Sequence, residues 1–433
     1  MKGETLKTVE KKNHSNEELD YIAERGRYKT IGIIVILLGI VSFAFFTHGT
    51  QMSQVSTFGL GSLGSISITV PDLVVPSFVS IALLSILCIL IGIYQLVKGF
   101  RKRSNLMLGI SILLFITAFL IWATRDKSTN LTGMLRLSAV QAIPLVLGAL
   151  SGILSERSGI VNIAIEGLML VSALVSVIVS SVTNNIYWGL ISALLASGVL
   201  ALVHGYLSIH FKVDQIISGM VINIFAAGIT GFISIKFLVE NPNLNQTALF
   251  PNYAIPGLST IPILGPIFFN QNIFFYATIV LIFVIHFALY YTPWGLRTRM
   301  VGEHPKAADT LGINVQRTRY TAVFLGGTLA GIAGAYLTLG AVGRFNRLMT
   351  SGRGYIALAA MIFGNWNPFG ALGASLIFGF ASSLESKLSI LQVPIPSQIL
   401  LMAPYIATMI ILVGVIGKVT PPAADGQPYG GEE

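Results

Sequence analysis

Long apolar stretches alternate with short polar segments along almost the whole chain. A run of about 20 apolar residues is long enough to cross a bilayer as an α-helix. The stretch at 352–364 is too short to span comfortably and predicts a half-helix or a re-entrant segment. We therefore predict an all-α transmembrane fold, a polytopic helical bundle of about 11–12 spans with broken or half-helices near its centre. The predicted spans lie at roughly 31–47, 75–97, 105–123, 134–154, 160–181, 187–211, 214–236, 272–292, 318–341, 352–364, 369–385 and 397–416.

Composition agrees with a membrane protein, because 54% of the residues are hydrophobic and only 10% are charged. A soluble domain carries about a quarter charged residues. The net charge of +9 does not indicate a nucleic-acid partner, since the basic residues lie mainly in the N-terminal tail and the loops. The expected environment is the lipid bilayer, with no nucleic acid bound.

Lysine and arginine are concentrated in the N-terminal tail, in the loop at 98–103 and in the loop before residue 318. Cytoplasmic loops of membrane proteins carry an excess of these residues. An even number of crossings places all three segments, and both chain termini, on the cytoplasmic side. We expect a multi-pass protein of the cell membrane.

Polar residues inside the apolar region divide the chain into parts. Residues 131–418 contain every intramembrane polar cluster, whereas the spans before them contain none that looks functional. Proline and glycine dominate the last residues, a composition typical of disorder. We predict a cytoplasmic tail at 1–30, an accessory three-helix extension at 31–130, a core that carries the polar clusters at 131–418 and a disordered C-terminal tail at 419–433.

The first polar cluster covers residues 155–167 and places charged and amide side chains between two apolar runs. Ser158 and Gly159 predict a helix break, and a helix that resumes at about residue 160 would carry Asn162 and Glu166 on one face. Such a break could present polar groups to a passing solute. Alternatively, the charges could be structural or interfacial ion pairs, and the residues alone leave both interpretations open.

The second cluster lies at 214–223, where Gln215, Gly219 and Asn223 share one helical face with Ser218 beside them. Polar side chains inside a helical bundle either line a polar cavity or hydrogen-bond to neighbouring helices. Both alternatives remain open from the sequence.

The third cluster lies in the basic loop at 302–314. Pro305 suits the first turn of a helix and Gly312 suits its end, which predicts a short amphipathic helix. Such a helix can dock into a groove of a soluble partner, and the alternative is an ordinary loop helix.

The fourth cluster, at 364–370, contains an Asn-Pro pair between glycines and predicts a structural turn, with Trp366 as an interfacial anchor. Isolated histidines on the spans, such as His204, are better explained as hydrogen-bonded packing residues than as metal ligands. The chain lacks the Gly-x-x-x-x-Gly-Lys-[Ser/Thr] motif of P-loop proteins. We expect no catalytic residue, no metal and no cofactor.

These clusters carry a resemblance to permease subunits of bacterial ABC importers for branched-chain amino acids, ribose-type sugars and nucleosides. It covers about residues 134–418, and the three N-terminal helices have no counterpart in it. The Ser-Glu-Arg-Ser-Gly-Ile-Val-Asn-Ile run and the Gly-Asn-Trp-Asn-Pro turn are most similar to the nucleoside, or simple sugar-type, permeases. The matching runs are LSERSGIVNIAIEGLMLVSA, DQIISGMVINIFAAGITGF, VGEHPKAADTLGINVQRTRYTAVFLGGTLAGIAGAYLTLG and GRGYIALAAMIFGNWNPFGALGASLIFGFASSLES.

The resemblance implies a second homologous permease, a cytoplasmic ATPase with two nucleotide-binding modules and an extracellular lipid-anchored binding protein as partners. It also implies two groups of site residues in this chain. Those expected along the substrate path are Asn162, Glu166, Gln215, Ser218 and Asn223. Those expected to couple to the ATPase are Glu303, His304, Pro305, Lys306, Ala308, Asp309 and Gly312.

The function predicted is therefore that of a transport subunit, not an enzyme, which moves a small polar solute into the cell using ATP hydrolysed by its partner. Nucleosides are favoured because amide side chains can both donate to and accept from hydroxyl groups and base edges. Ribose-type sugars and branched-chain amino acids remain alternatives. An ion-coupled transporter is disfavoured because the carboxylates lie near predicted helix ends.

Overall fold

The computed structural model describes residues 26–61, 70–391, 402 and 419–430. Within these residues, ten helices are long and apolar enough to cross a membrane. The chain is thus an all-α polytopic membrane protein, as predicted. The ten helices are α1 (Gly26–Phe46), α2 (Ser77–Val97), α3 (Ser104–Ala123), α4 (Leu131–Glu156), α5 (Ile165–Thr183), α6 (Ile186–Ile209), α7 (Gln215–Leu238), α9 (Ile273–Tyr291), α12 (Val315–Val342) and α14 (Pro368–Ile390).

Four shorter α-helices, two 3-10 helices (Arg101–Arg103 and Pro242–Asn245) and five short strands complete the described structure. The helices are α8 (Leu264–Phe268), α10 (Pro293–Glu303), α11 (Pro305–Thr310) and α13 (Arg353–Phe363). Strand β1 (Val55–Gly59) pairs antiparallel with β2 (Leu73–Pro76) and parallel with β3 (Ser128–Asn130). Strand β4 (Asn252–Ala254) pairs antiparallel with β5 (Asn270–Asn272). We name the end of the bundle that carries these strands the sheet side, and the opposite end, with α10 and α11, the loop side.

The centre of the bundle is formed by α4 and α12, which pack against each other and against α5, α6 and α14. Small residues allow this close approach: a Cβ at Gly334 of α12 would collide with the carbonyl oxygen of Met169 on α5. The apolar part of α4 is 83% buried, and that of α12 is 78% buried. These two helices therefore form the scaffold on which the broken elements are placed.

Helices α1–α3 form a separate layer beside the core. They pack through Phe46, Ile121 and neighbouring residues against Met134 of α4 and Phe380 of α14. The connection is reinforced on the sheet side, where the Thr132 hydroxyl donates a hydrogen bond to the Leu60 carbonyl at 3.0 Å. The extension covers one edge of the core and leaves the opposite faces of α5–α7 free of it.

Each predicted span that lies within the described residues corresponds to an observed helix, although the helix ends differ by several residues. The short stretch at 352–364 is the eleven-residue helix α13, as expected for a half-helix. The last predicted span, at 397–416, and most of the predicted tail at 1–30 lie outside the described residues. The disorder predicted for the C-terminal tail does not hold for residues 419–430, which pack against the loop side, where Ala424 is 3% exposed. Composition alone could not predict these tertiary contacts.

Candidate translocation site at two helix breaks

The chain turns back into the bundle after α4 ends. Residues 157–164, which we name the re-entrant segment, have no helical structure, and α5 begins only at Ile165. The Ile165 side chain packs at Gly148, eight residues before the end of α4 at Glu156. At 1.5 Å per helical residue, α5 therefore starts about 12 Å inside the bundle. Irregular backbone at this depth requires protein groups to satisfy it.

A second broken element meets the first one at this depth. Helix α13 runs along the last third of α4, with Ala357 packed at Gly148 and Met361 at Gly152. Its N-terminal N–H groups have no partner within the helix. The Glu166 carboxylate accepts hydrogen bonds from the backbone N–H groups of Gly352 at 2.8 Å and Gly354 at 2.6 Å. Glu166 thus joins the start of α5 to the start of α13, and its charge suits the positive end of a helix dipole.

Asn223 of α7 completes this contact. Its side-chain oxygen accepts from the Gly167 N–H at 2.8 Å, and its amide group donates to the Ile163 carbonyl at 2.8 Å and the Tyr355 hydroxyl at 3.1 Å. We name Glu166, Asn223, Gly352, Gly354 and Tyr355 the central junction. Tyr355 is 49% exposed, so the central junction reaches the surface of the chain beside α7.

Two further predicted path residues hold the re-entrant segment nearer its start. Gln215 accepts a hydrogen bond from the Val161 N–H at 2.7 Å. The Val161 carbonyl lies 2.9 Å from His204 Nε2, and a carbonyl can only accept, so Nε2 carries the hydrogen. In the neutral ring, Nδ1 then accepts from the Ser218 hydroxyl at 3.0 Å. Of the two alternatives for the 214–223 cluster, the structure shows hydrogen bonds to a neighbouring segment.

The expected helical pairing of Asn162 with Glu166 is wrong, because the helix resumes five residues later than the apolar pattern suggested. Asn162 lies in the re-entrant segment and is 1% exposed. Its amide nitrogen donates to the Ser155 hydroxyl at 3.2 Å, while its side-chain oxygen has no partner among the described residues. Glu166 points instead to α13. The five path residues therefore surround one broken segment, but they do not line a common face.

The loop-side end of the break contacts the turn between α13 and α14. The Trp366 indole nitrogen donates to the Glu156 carboxylate at 2.6 Å. The Arg157 guanidinium donates to the carbonyls of Trp366 at 3.2 Å and Asn365 at 3.3 Å. We name these four residues the loop-side junction. Trp366 is 5% exposed, so the prediction of an interfacial anchor is wrong: its polar atom is used inside the protein.

The loop at 302–314 contains the predicted short helix. Pro305 is the first residue of α11, and Gly312 follows it with a φ of 77°. Ala308 is fully buried and packs against Val301 and Val315. The expectation that Ala308 lies on a docking face is therefore not met.

The other coupling residues have different surroundings. The Glu303 carboxylate accepts from the Ala423 N–H at 3.1 Å, and the Asp309 carboxylate accepts from the Tyr429 hydroxyl at 2.7 Å. His304 and Lys306 are exposed. Beyond α11, Leu311 is 70% exposed, so an apolar side chain that the sequence did not single out stands at the tip of this loop.

A cavity of about 360 Å³ lies elsewhere, beside the sheet-side end of α4. Arg136, Leu137, Pro266 and Lys387 contribute to its walls. None of the predicted path residues lies among these walls, so this cavity does not mark the predicted path.

Comparison with known proteins places these elements among transport proteins. Residues 134–417 match the family described as "Branched-chain amino acid transport system / permease component". The chain is 43% identical to the guanosine ABC transporter permease protein NupQ of Bacillus subtilis (strain 168), over 67% of this chain and 94% of NupQ.

Two further relatives carry different substrate names. The nucleoside ABC transporter permease protein NupC of Lactococcus lactis subsp. cremoris (strain MG1363) is 38% identical over 67% of this chain and 94% of NupC. The putative glucose ABC transporter permease protein TsgC13 of Haloferax volcanii is 36% identical over 59% of this chain and 77% of TsgC13. No solved structure matches the chain.

Proposed function

The chain belongs to the branched-chain amino acid transport system permease family, and from that premise we propose that it is the membrane subunit of an ABC importer for nucleosides. Guanosine and nucleosides are the substrates named for the two relatives that it matches over two thirds of its length. In this arrangement the chain forms the path, and a partner ATPase supplies the energy.

The observation that carries the substrate class is the use of Glu166 at the central junction. A helix N-terminus inside a membrane attracts the anionic group of a substrate. Here the Glu166 carboxylate already occupies the start of α13. A carboxylate substrate would be repelled from this position, so a neutral solute is favoured over an amino acid.

The groups around Glu166 suit the recognition of a neutral base and sugar. Tyr355 presents an exposed ring and a hydroxyl beside Asn223. An aromatic ring offers a stacking surface for a base, worth about 1–3 kcal/mol per base in proteins that bind single-stranded nucleic acids. We place the path along the exposed surface of α7 and α13, where a second homologous permease would close it.

We place the loop side in the cytoplasm, because it carries the basic loop before residue 318. We expect the partner ATPase to carry two nucleotide-binding modules. It would contact the exposed side of α11, which is formed by Lys306, Ala307 and Thr310, together with Leu311. An exposed apolar residue beside charged ones is typical of a docking helix. A lipid-anchored binding protein would deliver the solute to the sheet side.

Uptake of labelled guanosine by cells that contain the whole complex tests the substrate class. We expect unlabelled guanosine and adenosine to block uptake, and leucine to leave it unchanged. Strong competition by leucine, with no effect of nucleosides, would overturn the nucleoside assignment.

A sugar is the second candidate, because the 36% identical relative is named for glucose. In the same assay, ribose and glucose would then compete while adenosine would not. A sugar lacks the base, so Tyr355→Leu separates the candidates: it should lower guanosine uptake strongly through the lost stacking surface, and affect a sugar less.

A further inference from the structure

Residues 419–430, which we name the C-terminal strap, cross the loop side and contact several moving parts of the proposed transporter. At one end, the Thr420 N–H donates to the Asn365 side chain at 3.1 Å, in the turn between α13 and α14. At the other end, the Tyr429 hydroxyl donates to Asp309 of α11 at 2.7 Å. Between them, the Ala424 N–H donates to the Gly302 carbonyl at 2.9 Å. The strap therefore bridges the α10–α11 loop and the loop-side junction.

The middle of the strap lies on the re-entrant segment. Arg319 of α12, which is 1% exposed, donates from Nε to the Ser158 carbonyl and from Nη1 to the Gln427 carbonyl, both at 3.2 Å. Gly159 has a φ of 85°, and a Cβ there would lie 2.9 Å from Arg319 Nη2 and 3.1 Å from the Ala424 carbonyl oxygen. The strap, Arg319 and the re-entrant segment are thus packed without room for a side chain at this glycine.

Two carboxyl groups meet where the strap reaches the end of α4. Asp425 of the strap lies beside Glu156 of α4, whose side chain is only 4% exposed. Two buried carboxylate charges at such close range repel each other, so a proton bound by the pair favours the docked strap. The Trp366 indole holds the other side of Glu156. The strap therefore reaches the loop-side junction at this pair of neighbouring carboxyl groups.

We propose that the C-terminal strap is a coupling latch, which ties the loop that contacts the ATPase to the two helix breaks through its hydrogen bonds to Asp309, Gly302, Arg319 and Asn365. The inference rests on the proposed ABC permease function. Movement of α11 would pull on Tyr429, and through the strap on the re-entrant segment and the turn at Asn365.

The environment of Asp425 supports a pH-dependent latch. Burial raises the pKa of Asp425 from its ordinary 3.8 to about 7, although hydrogen bonds and the charge of Arg319 oppose the rise. A carboxyl with a raised pKa stabilises the docked state below its ordinary pKa, and this contribution falls as the pH rises toward about 7. The ionisable groups that face the strap from the elements around it are Glu156 of α4, Lys212 near Gly430, Glu303 of α10, Asp309 of α11, Arg319 of α12 and Tyr429 of the strap itself.

The first test compares two shortened chains in the complete complex, reconstituted in liposomes. One chain ends at Val419 and lacks the strap, and the control ends at Gly430 and keeps it. The readout is guanosine molecules moved per ATP hydrolysed. We expect this ratio to fall at least about fivefold without the strap, since more than one hydrogen bond is lost, while the control keeps it.

The second test uses single substitutions, which preserve the strap if the shortened chain fails to assemble. Tyr429→Phe removes one hydroxyl and should lower the ratio without changing ATPase binding. Asp425→Asn removes the carboxyl that titrates, so the ratio should no longer fall as the pH rises toward about 7, as it should in the natural chain. Asp72→Asn, an exposed change on the sheet side, should leave the pH profile as it is.

The outcomes separate the latch from the function on which it rests. Failure of the unaltered complex to move guanosine would overturn the proposed substrate and leave the latch to be measured with the true solute. Normal transport per ATP by the chain ending at Val419, or an unchanged pH profile for Asp425→Asn, would overturn the latch.

Discussion

The N-terminal extension and the transport core are both built from apolar helices, but they treat polar groups differently. The apolar stretches of α1–α3 are 28–33% buried, like those of the outer core helices α6 and α9, whereas the central core helices α4 and α12 are 83% and 78% buried. The fully buried polar contacts of the extension are neutral pairs, such as the Ser42 and Ser85 hydroxyls at 2.7 Å and the Gln95 amide with Ser104 at 3.0 Å, and its charged side chains make contacts nearer the surface. The core instead places Glu156, Glu166 and Arg319 at interrupted helices.

This difference shows which region of the chain contains features that are energetically unfavourable in a membrane. A charged side chain inside a bilayer is expensive unless it is paired or held by polar groups. Broken backbone carries the same requirement. The core meets both requirements, because Glu166 and Arg319 satisfy backbone groups at the breaks and Glu156 accepts from the Trp366 indole. The extension keeps its buried polar contacts neutral, and we therefore propose that it is an accessory to a core that carries transport.

The largest effect is expected for Glu166→Ala in the core. The change leaves the N–H groups of Gly352 and Gly354 without their acceptor, at a cost of about 1–3 kcal/mol each. We expect loss of guanosine uptake and a lower melting temperature of the purified complex. Glu166→Gln keeps an acceptor and should recover part of both. Glu240→Gln, whose side chain is 61% exposed, is the matched control and should change neither.

A large effect on assembly is expected for Leu311→Asp. A charge at the exposed tip of the loop should disfavour an apolar contact with the ATPase, so less ATPase should co-purify with an otherwise stable chain. Ala308→Trp should act differently, because Ala308 is buried inside the loop and added bulk would destabilise the chain itself. Equal ATPase recovery with Leu311→Asp and the natural chain would show that the docking surface lies elsewhere.

A smaller loss is expected for Trp366→Phe, which keeps most of the ring and removes the indole hydrogen bond to Glu156. Such a hydrogen bond contributes about 0.5–1.5 kcal/mol. Guanosine uptake should fall while the complex still assembles. Trp188→Phe, at a side chain that is 57% exposed, should have no effect on uptake, and a similar loss from both changes would remove the special role of the loop-side junction.

The smallest effect is expected in the extension, for Ser42→Ala. The buried Ser85 hydroxyl loses its 2.7 Å partner, which lowers stability by about 1 kcal/mol. Uptake should remain at the level of the natural chain. A loss of uptake as large as that of Trp366→Phe would contradict the distinction between the two regions.

The sequence predicted much of this arrangement where a local signal existed. Twenty-residue apolar runs predicted the spans, and the family resemblance is confirmed by the match over residues 134–417. The break after Glu156 and the short α11 were recognisable from glycine and proline positions. Buried polar residues of α7 were identified by their common helical face.

The remaining features depend on distant parts of the chain. Trp366 is 210 residues from Glu156, and no local pattern indicates that its indole nitrogen binds a carboxylate. Arg319 stood in a basic loop, where arginines are usually exposed, and its burial depends on the strap. The strap itself has the composition of a disordered tail. Asn162 was misplaced because the apolar pattern could not distinguish buried extended backbone from helix.

The most direct measurement of the central claim is guanosine uptake by two complexes prepared in parallel. One contains a chain that starts near residue 130 and lacks the extension, and the other contains the full-length chain with Glu166→Ala. The account predicts that the shortened chain still transports guanosine, with assembly intact, and that the full-length variant does not. Loss of transport by an assembled shortened chain, together with normal transport by the Glu166→Ala variant, would contradict it.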